Sequence, residues 1–169
     1  MARIDHAWVQ QAFVRLVNSI DTPDVTKVHF GENPTGDILA CEVALVKVTV
    51  GPRAGKIVAS PASNPEPDIR NGVAIITVTL NAIEGGGNEP GGGLFNLGAY
   101  CERITAFLEG QTLEQMPGDT SGHLLETQWC QVDFDVVGEA EDQARLGAVI
   151  TLPFRVTRKG TDATVIAIQ

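Results

Sequence analysis

Asp133 and Asp135 are the first side chains in this sequence whose type and spacing could do chemistry. In an extended strand, residues two apart share a face, so these two carboxyl groups could act as general acid and general base. Carboxylates spaced in this way more often form the solvated face of a sheet. The other acidic residues of this half of the chain include Asp119, Glu126, Glu139, Glu141 and Asp142. We therefore predict an acidic surface, and no catalytic residues.

Cysteine and histidine could supply a nucleophile or a metal site. The cysteines are Cys41, Cys101 and Cys130, and the histidines are His6, His29 and His123. None of them forms the CxxC, CxxH or HxxxH spacing that metal sites use. A nucleophilic cysteine, or a metal site, would need partners from distant parts of the chain. We expect three reduced, half-buried thiols, with no metal and no cofactor.

A glycine-rich segment, GGGNEPGGG over residues 85–93, lies between a predicted strand and a predicted helix. Phosphate-binding loops occupy the same place, but they need GxxxxGK[ST], and this segment has no lysine, serine or threonine and carries Glu89. So many glycines have too high a backbone entropy for a regular element. We predict a mobile loop that becomes ordered against a neighbour. Its glycines are Gly85, Gly86, Gly87, Gly91, Gly92 and Gly93.

Basic residues are sparse, and their one local cluster lies near the end of the sequence. The cluster consists of Arg155, Arg158 and Lys159, and the acidic counterpart at a predicted hairpin tip consists of Glu139, Glu141 and Asp142. Contacts between unlike faces of successive subunits can join copies into a ring. We predict that these two sets face each other across a subunit interface.

Two amphipathic helices are predicted. Over residues 4–20, apolar side chains recur every three or four residues, with Asp5 as the N-cap and Pro23 beyond the end. The second helix is predicted over 94–109, with Gly110 as the residue that terminates it.

Strands are predicted at about 38–50, 73–84, 124–137, 146–158 and 163–168, where β-branched residues are frequent and the apolar pattern alternates. The alternation changes phase within 38–50, which indicates a bulge, or a strand that passes from one packing environment to another. Gly51 and Pro52 are expected to end that strand, and the prolines of 61–72 indicate a loop. Pro153 cannot donate a ladder hydrogen bond, which predicts an edge or a bulge there.

The sum of these elements predicts an α+β fold: a mostly antiparallel sheet packed by two helices, with a long hairpin and flexible Gly/Pro-rich loops. The 169 residues suit a single domain over 1–169. Twelve basic against 21 acidic residues give a net charge of −9, which argues against binding nucleic acid by phosphate neutralisation. No apolar run approaches the roughly 20 residues of a membrane span, and we expect a soluble protein without membrane partners.

The order of elements resembles the tail terminator, or tail completion, proteins of long-tailed bacteriophages. The stretches that carry the resemblance are IDHAWVQQAFVRLVNSI at the start and WCQVDFDVVGEAEDQARLGAVITLPFRVTR near the end. The resemblance rests on layout and size and covers most of the chain. The segments 61–72 and 85–93 are extra relative to the smallest members.

The resemblance implies a structural protein of the virion, assembled in the host cytoplasm, and not an enzyme. Such a subunit closes into a hexameric ring that caps the tail tube. Its partners would be copies of itself, the tail tube protein and a head–neck or connector protein, and DNA would pass through the lumen without specific binding. Three alternatives remain open: another neck, tail-tube or baseplate component, a module that binds a small ligand, and an enzyme that uses cysteine or paired carboxylates.

Overall fold

The first helix begins where the sequence supplies a cap. A computed structural model of the chain describes residues 2–22, 25–31, 41–54, 67–80, 93–114, 121–140 and 143–159. Helix α1 spans His6–Asn18. The carboxylate of Asp5 accepts from the N–H of Ala7 at 2.9 Å and from that of Trp8 at 3.4 Å, which confirms the predicted N-cap. Its buried stripe consists of Trp8, Val9, Ala12, Phe13, Leu16 and Val17.

Helix α2 spans Gly93–Leu108. The sequence predicted Gly93 in the mobile loop, but Gly93 is the first residue of this helix. Glycine is tolerated there because the N–H of the first helical residue needs no partner within the helix. The other loop glycines, Gly85, Gly86, Gly87, Gly91 and Gly92, lie outside the described residues. Gly110 follows the helix with φ of 65°, the left-handed conformation that glycine adopts without strain.

Seven described strands form one sheet. They are β1 (Val25–His29), β2 (Cys41–Arg53), β3 (Asp68–Leu80), β4 (Thr112–Leu113), β5 (His123–Thr127), β6 (Gln131–Ala140) and β7 (Gln143–Arg158). Their order is β1-β2-β3-β7-β5-β4, and β6 also pairs with β7. Strand β1 runs parallel to β2, and the other described pairings are antiparallel. The described chain is therefore a mixed sheet with two helices, an α+β arrangement.

Both helices pack on one face of this sheet. The buried side chains of β3 and β7 alternate along the strands, so that they reach only this face. The rings of Phe13 in α1 and Phe154 in β7 meet edge to face, with centroids 4.8 Å apart. In α2, Leu97, Cys101 and Ile104 join the same buried cluster.

The strand predicted over 124–137 is two strands, and Pro153 is the reason. Strands β5 and β6 both lie beside β7, where Thr127 pairs with Phe154 and Gln131 with Thr151, so residues 128–130 oppose only 152–153. The carbonyl of Pro153 accepts from the N–H of Gln128 at 2.9 Å, so the proline nitrogen faces the same interruption. A proline without N–H is thus accommodated inside the sheet by a bulge on its neighbour.

Other strand limits also differ from the predictions. Strand β2 continues through Gly51 and Pro52, because a second register shift between Val50 and Arg53 absorbs them as a bulge. The predicted change of phase in this strand is confirmed, because the register of β2 against β3 also shifts between Leu45 and Lys47. Strand β3 begins at Asp68, inside the predicted loop 61–72, because β2 and β7 pair with its first residues. Strands β1 and β4 were not predicted, and the predicted strand 163–168 lies outside the described residues.

Candidate functional site

The sheet face opposite the helices, here called the open face, is built by the register of four strands. Lys47 pairs with Ile75, Ile75 with Thr151, and Thr151 with Gln131, so these side chains form one row across β2, β3, β7 and β6. The open-face residues of β2, β3 and β7 include Lys47, Thr49, Val73, Ile75, Thr77, Val149, Thr151 and Pro153. Each of them is half-buried or exposed, whereas the helix-packed side chains in the middle of β3 and β7, such as Ile76 and Ile150, are buried.

A shallow apolar groove of about 380 Å³ crosses the open face; we call it the Gly72 groove. Its lining consists of Thr49, Gly51, Asn71, Gly72, Val73, Gln128, Pro153 and Phe154. A Cβ on Gly72 would collide with the carbonyl oxygen of Thr49 and with the ring of Phe154, and a Cβ on Gly51 would collide with the carbonyl oxygen of Asn71. Two glycines are therefore required in the strands that build the groove; Gly72 is in the helix-packed phase of β3, so a side chain at this position would enter the core.

Trp129 lies in the bulge opposite Pro153, next in the chain to Gln128, which lines this groove. Its side chain is 81 % exposed, the highest value among the described large hydrophobic residues. Phe134, on the helix-packed side of β6, is 53 % exposed. In the sequence Trp129 was only one member of an alternating pattern. Trp129 is exposed because residues 128–130 lie opposite only residues 152 and 153 of β7, which makes a bulge. The sequence of one strand does not reveal this mismatch.

Charges of opposite sign flank the apolar strip of the open face. Lys47 is exposed on β2, and Asp133, which pairs with Val149, is exposed on β6 at the far side. Arg155 and Glu126 are also exposed and lie directly opposite each other on β7 and β5. The β2 side of the open face carries the exposed Lys47 and the half-buried Glu42, and the β6 side carries the exposed Asp133.

At one end of the helix-packed face, a buried carboxylate fastens the N-terminal segment to the sheet. The side chain of Asp68 is fully buried and accepts from the N–H of Ile4 at 2.8 Å. The guanidinium of Arg70 lies 3.2 Å from this carboxylate, and that of Arg53 lies 3.8 Å away. Burial acts to raise the pKa of Asp68, but the hydrogen bonds and the two arginine charges outweigh it and lower the pKa below its ordinary value. The arrangement is structural.

His123, on β5, holds the same segment. Its Nε2 accepts from the N–H of Asp5 at 2.9 Å, its Nδ1 lies 2.7 Å from Ser121 Oγ, and its ring stacks on Trp8 with centroids 4.7 Å apart. A second cavity of about 230 Å³ lies beside it, lined by Glu114, Gly122, His123, Leu124 and Lys159. The buried imidazole thus acts as a hydrogen-bond acceptor that positions the start of α1.

The structure separates the basic cluster that the sequence predicted at a subunit interface. Arg155 lies on the open face and Arg158 on the helix-packed face, because a spacing of three places residues on opposite sides of a strand. Arg158 is also engaged inside the chain, where it donates to the carbonyls of Arg3 at 2.7 Å and Ser121 at 3.2 Å. Lys159 is exposed.

The acidic partners predicted for this cluster are only partly described. Glu139 lies in β6, where only its backbone is described, and Glu141 and Asp142 lie outside the described residues. Asp133 is exposed on the open face, and the backbone of Asp135 continues β6 two residues further. The pairing of the two sets across a subunit interface stays a prediction.

The three cysteines are free thiols, with Cys41 and Cys101 buried and Cys130 half-buried. Burial raises the pKa of Cys41 to about 12 and that of Cys101 to about 11. Burial, with the nearby Glu109 carboxylate, raises the pKa of Cys130 to about 12. These shifts are opposite to those that activate a nucleophilic thiolate. In the described ranges, no group of His, Cys, Asp and Glu side chains is arranged to hold a metal ion.

Neither of the two described helices has the length and apolar character needed to cross a bilayer. No protein-family model matches this chain, and no curated protein matches it either.

Proposed function

We propose that this chain is a structural subunit of a bacteriophage tail, a tail terminator that assembles into a hexameric ring, caps the tail tube and joins it to the head–neck complex. The proposal starts from the order of elements, helix, sheet strands, helix, long hairpin, which resembles that family. In this proposal the protein belongs to the virion and has no catalytic role.

The observation that carries the proposal is the open face. Both helices pack on the opposite side of the sheet, and the open face presents half-buried Val73, Ile75 and Val149. The exposed Trp129 lies in the bulge between β5 and β6. Large apolar side chains exposed together typically mark an interaction surface. A subunit whose role is to be covered by other chains accounts for such a face.

Strand edges support self-assembly in the same way. Within the described part of the chain, β6 pairs only with β7, so the ten residues Gln131–Ala140 leave one side of their backbone unpaired there. Backbone groups of this kind are a template for a further strand from another chain. In the proposed subunit the sheet is mostly antiparallel, and the flexible 85–93 arm becomes ordered against the neighbouring copy.

The charge of the chain is compatible with a ring through which DNA passes. A net charge of −9 per subunit would give the ring an acidic character that repels phosphate. A lumen that does not bind phosphate lets the duplex slide, so the proposal includes no specific contact with DNA.

The native mass of the purified protein tests this proposal. We expect a concentration-dependent oligomer by light scattering, ring-shaped particles in electron micrographs, and particles at the end of purified tail tubes after mixing. Rings that never bind tube ends would assign the protein to another neck or baseplate position. A species that stays monomeric at the highest concentration and leaves tubes uncapped would contradict the proposal.

A further inference from the structure

We propose that His123 is a pH-sensitive latch, whose neutral ring holds residues 2–5 on the sheet and whose protonation at Nε2 loosens them. The latch goes beyond the proposed function and acts within a single copy of the chain. Ala2 and Ile4 are buried although they lie outside the helices and strands, so contacts with other elements hold this segment in place. The contact that changes near neutral pH is the hydrogen bond from the N–H of Asp5 to His123.

This hydrogen bond fixes which nitrogen of the His123 ring carries the proton. A backbone N–H can only donate, so Nε2, which lies 2.9 Å from the Asp5 nitrogen, must present a lone pair. The neutral ring therefore carries its proton on Nδ1, which donates to Ser121 Oγ at 2.7 Å. An imidazolium has a proton on both nitrogens. The added proton would point at the N–H of Asp5, and the bond would be lost.

Protonation also places a second positive charge beside Arg158. His123 on β5 pairs with Arg158 on β7, and the guanidinium of Arg158 donates to the carbonyl of Arg3 at 2.7 Å. The same guanidinium donates to the carbonyl of Ser121, whose hydroxyl contacts the His123 ring. Because like charges disfavour one another at this range, acid weakens the hold of Arg158 on Arg3 as well.

The described acidic groups around the ring set the limits of this change. The carboxylate of Asp5 caps the first turn of α1, and Glu114 and Lys159 are exposed at the cavity of about 230 Å³ beside the ring. This cavity leaves room for water to hydrate a charged ring. Asp68 lies beyond Arg158 on β3 and has a lowered pKa, so it stays ionised and still holds the N–H of Ile4 when His123 is protonated.

The direction of the pH effect follows from linkage. The attached segment requires the neutral ring of His123, whereas the ring of the open form is free to bind a proton, so acid favours the open form. Histidine is the side chain that ordinarily changes charge between about pH 5 and 8. For an open-form ring that titrates near pH 6.5, the equilibrium constant for opening rises by roughly 30-fold at most on going to pH 5.

Amide hydrogen exchange of the full chain, measured by NMR at pH 7.5 and pH 5.0, tests the latch. The measured quantity is the protection factor of the Asp5 amide, which is corrected for the intrinsic pH dependence of exchange. We expect this factor to fall at least tenfold at pH 5.0 in the wild type. In His123→Gln it should change less than about twofold, because the amide oxygen of glutamine can accept the same hydrogen bond but takes up no proton in this range.

The other two histidines supply matched controls. His6 is exposed at the start of α1, next to the segment, and His29 ends β1. Both His6→Gln and His29→Gln remove a titrating ring without touching the hydrogen bond to Asp5. We therefore expect each variant to keep the wild-type loss of protection.

Nitrogen-15 NMR of the His123 ring in the wild-type protein gives a second test, which does not depend on the folding of any variant. We expect the Nδ1–H tautomer at pH 7.5. An Nε2–H tautomer at that pH, or equal protection of the Asp5 amide at both pH values, would overturn the latch. So would a loss of protection that persists in folded His123→Gln or disappears in His6→Gln or His29→Gln.

Discussion

Asp68 shows how one side chain can join the chain terminus to the sheet. It is the point at which the N–H of Ile4 and the guanidinium groups of Arg53 and Arg70 converge, and it is fully buried. A buried carboxylate is tolerated only when hydrogen bonds and opposite charges replace its hydration. The stability of the N-terminal attachment therefore depends on its remaining ionised.

We expect Asp68→Asn to lower the free energy of unfolding by about 2 to 3 kcal/mol, because the amide cannot compensate two partly buried guanidinium groups. The urea midpoint measures this change. The exposed Asp133→Asn is the matched control and should stay within about 0.5 kcal/mol of wild type. Equal midpoints for Asp68→Asn and wild type would contradict the structural role.

The pH dependence follows from the same group. Since the pKa of Asp68 is lower in the folded protein than its ordinary value, its stabilisation is fully present above the unfolded-state range near pH 4 and is lost as the pH falls through the folded pKa. The difference between wild type and Asp68→Asn should therefore be constant near neutral pH and shrink below about pH 4.

At the scale of elements, bulges decide which side chains are presented. Val46 and the pair Gly51–Pro52 interrupt the register of β2, and residues 128–130 separate β5 from β6. Each interruption leaves the rest of the strand in phase with its neighbour, so that Val48 and Val50 still lie on the helix-packed face opposite Ala74 and Gly72. Gly51 and Gln128, which line the groove, and the exposed Trp129 lie in these same interruptions.

Two glycines should respond oppositely to the same substitution. Gly72→Ala places a methyl group against the Thr49 carbonyl and the Phe154 ring, and we expect a loss of about 1 to 3 kcal/mol from overpacking. Gly98→Ala in α2 meets no atom within 4 Å, and we expect a gain of about 0.5 to 1 kcal/mol from helix propensity. Thermal or urea unfolding measures both changes, and a shared sign would contradict this account.

At the scale of the molecule, the two faces of the sheet have different tasks. One face is closed by α1 and α2, and at its end Arg158 and His123 fasten residues 3–5. The other face carries the groove and exposed charges of both signs. Folding and assembly can therefore be disturbed separately.

The predicted basic interface gives a test of that separation. We expect the double variant Arg155→Glu, Lys159→Glu to keep the wild-type urea midpoint while weakening self-association, most clearly at low salt, because both side chains are exposed. Arg158→Glu should lower the midpoint as well, since its bonds to Arg3 and Ser121 are internal. The oligomer mass at 50 and 500 mM salt is the readout. An unchanged association constant in the double variant would remove Arg155 and Lys159 from the interface.

The sequence by itself determined what depends on neighbours along the chain. The Asp5 cap, the buried stripe of α1, the glycine after α2 and the phase change in β2 all follow from local spacing, because helix and strand periods act over a few residues. The single-domain assignment and the family resemblance also came from the sequence, and both remain predictions.

Only the tertiary structure decided which strands lie side by side and in what register. Pro153 is interior rather than at an edge because β3 and the β5–β6 pair enclose β7, and this places Trp129 in a bulge. Asp68 and Ile4 meet across 64 residues. Pairing of strands joins residues far apart in the chain, and a shift of one position moves every side chain to the other face, so no local pattern contains this information.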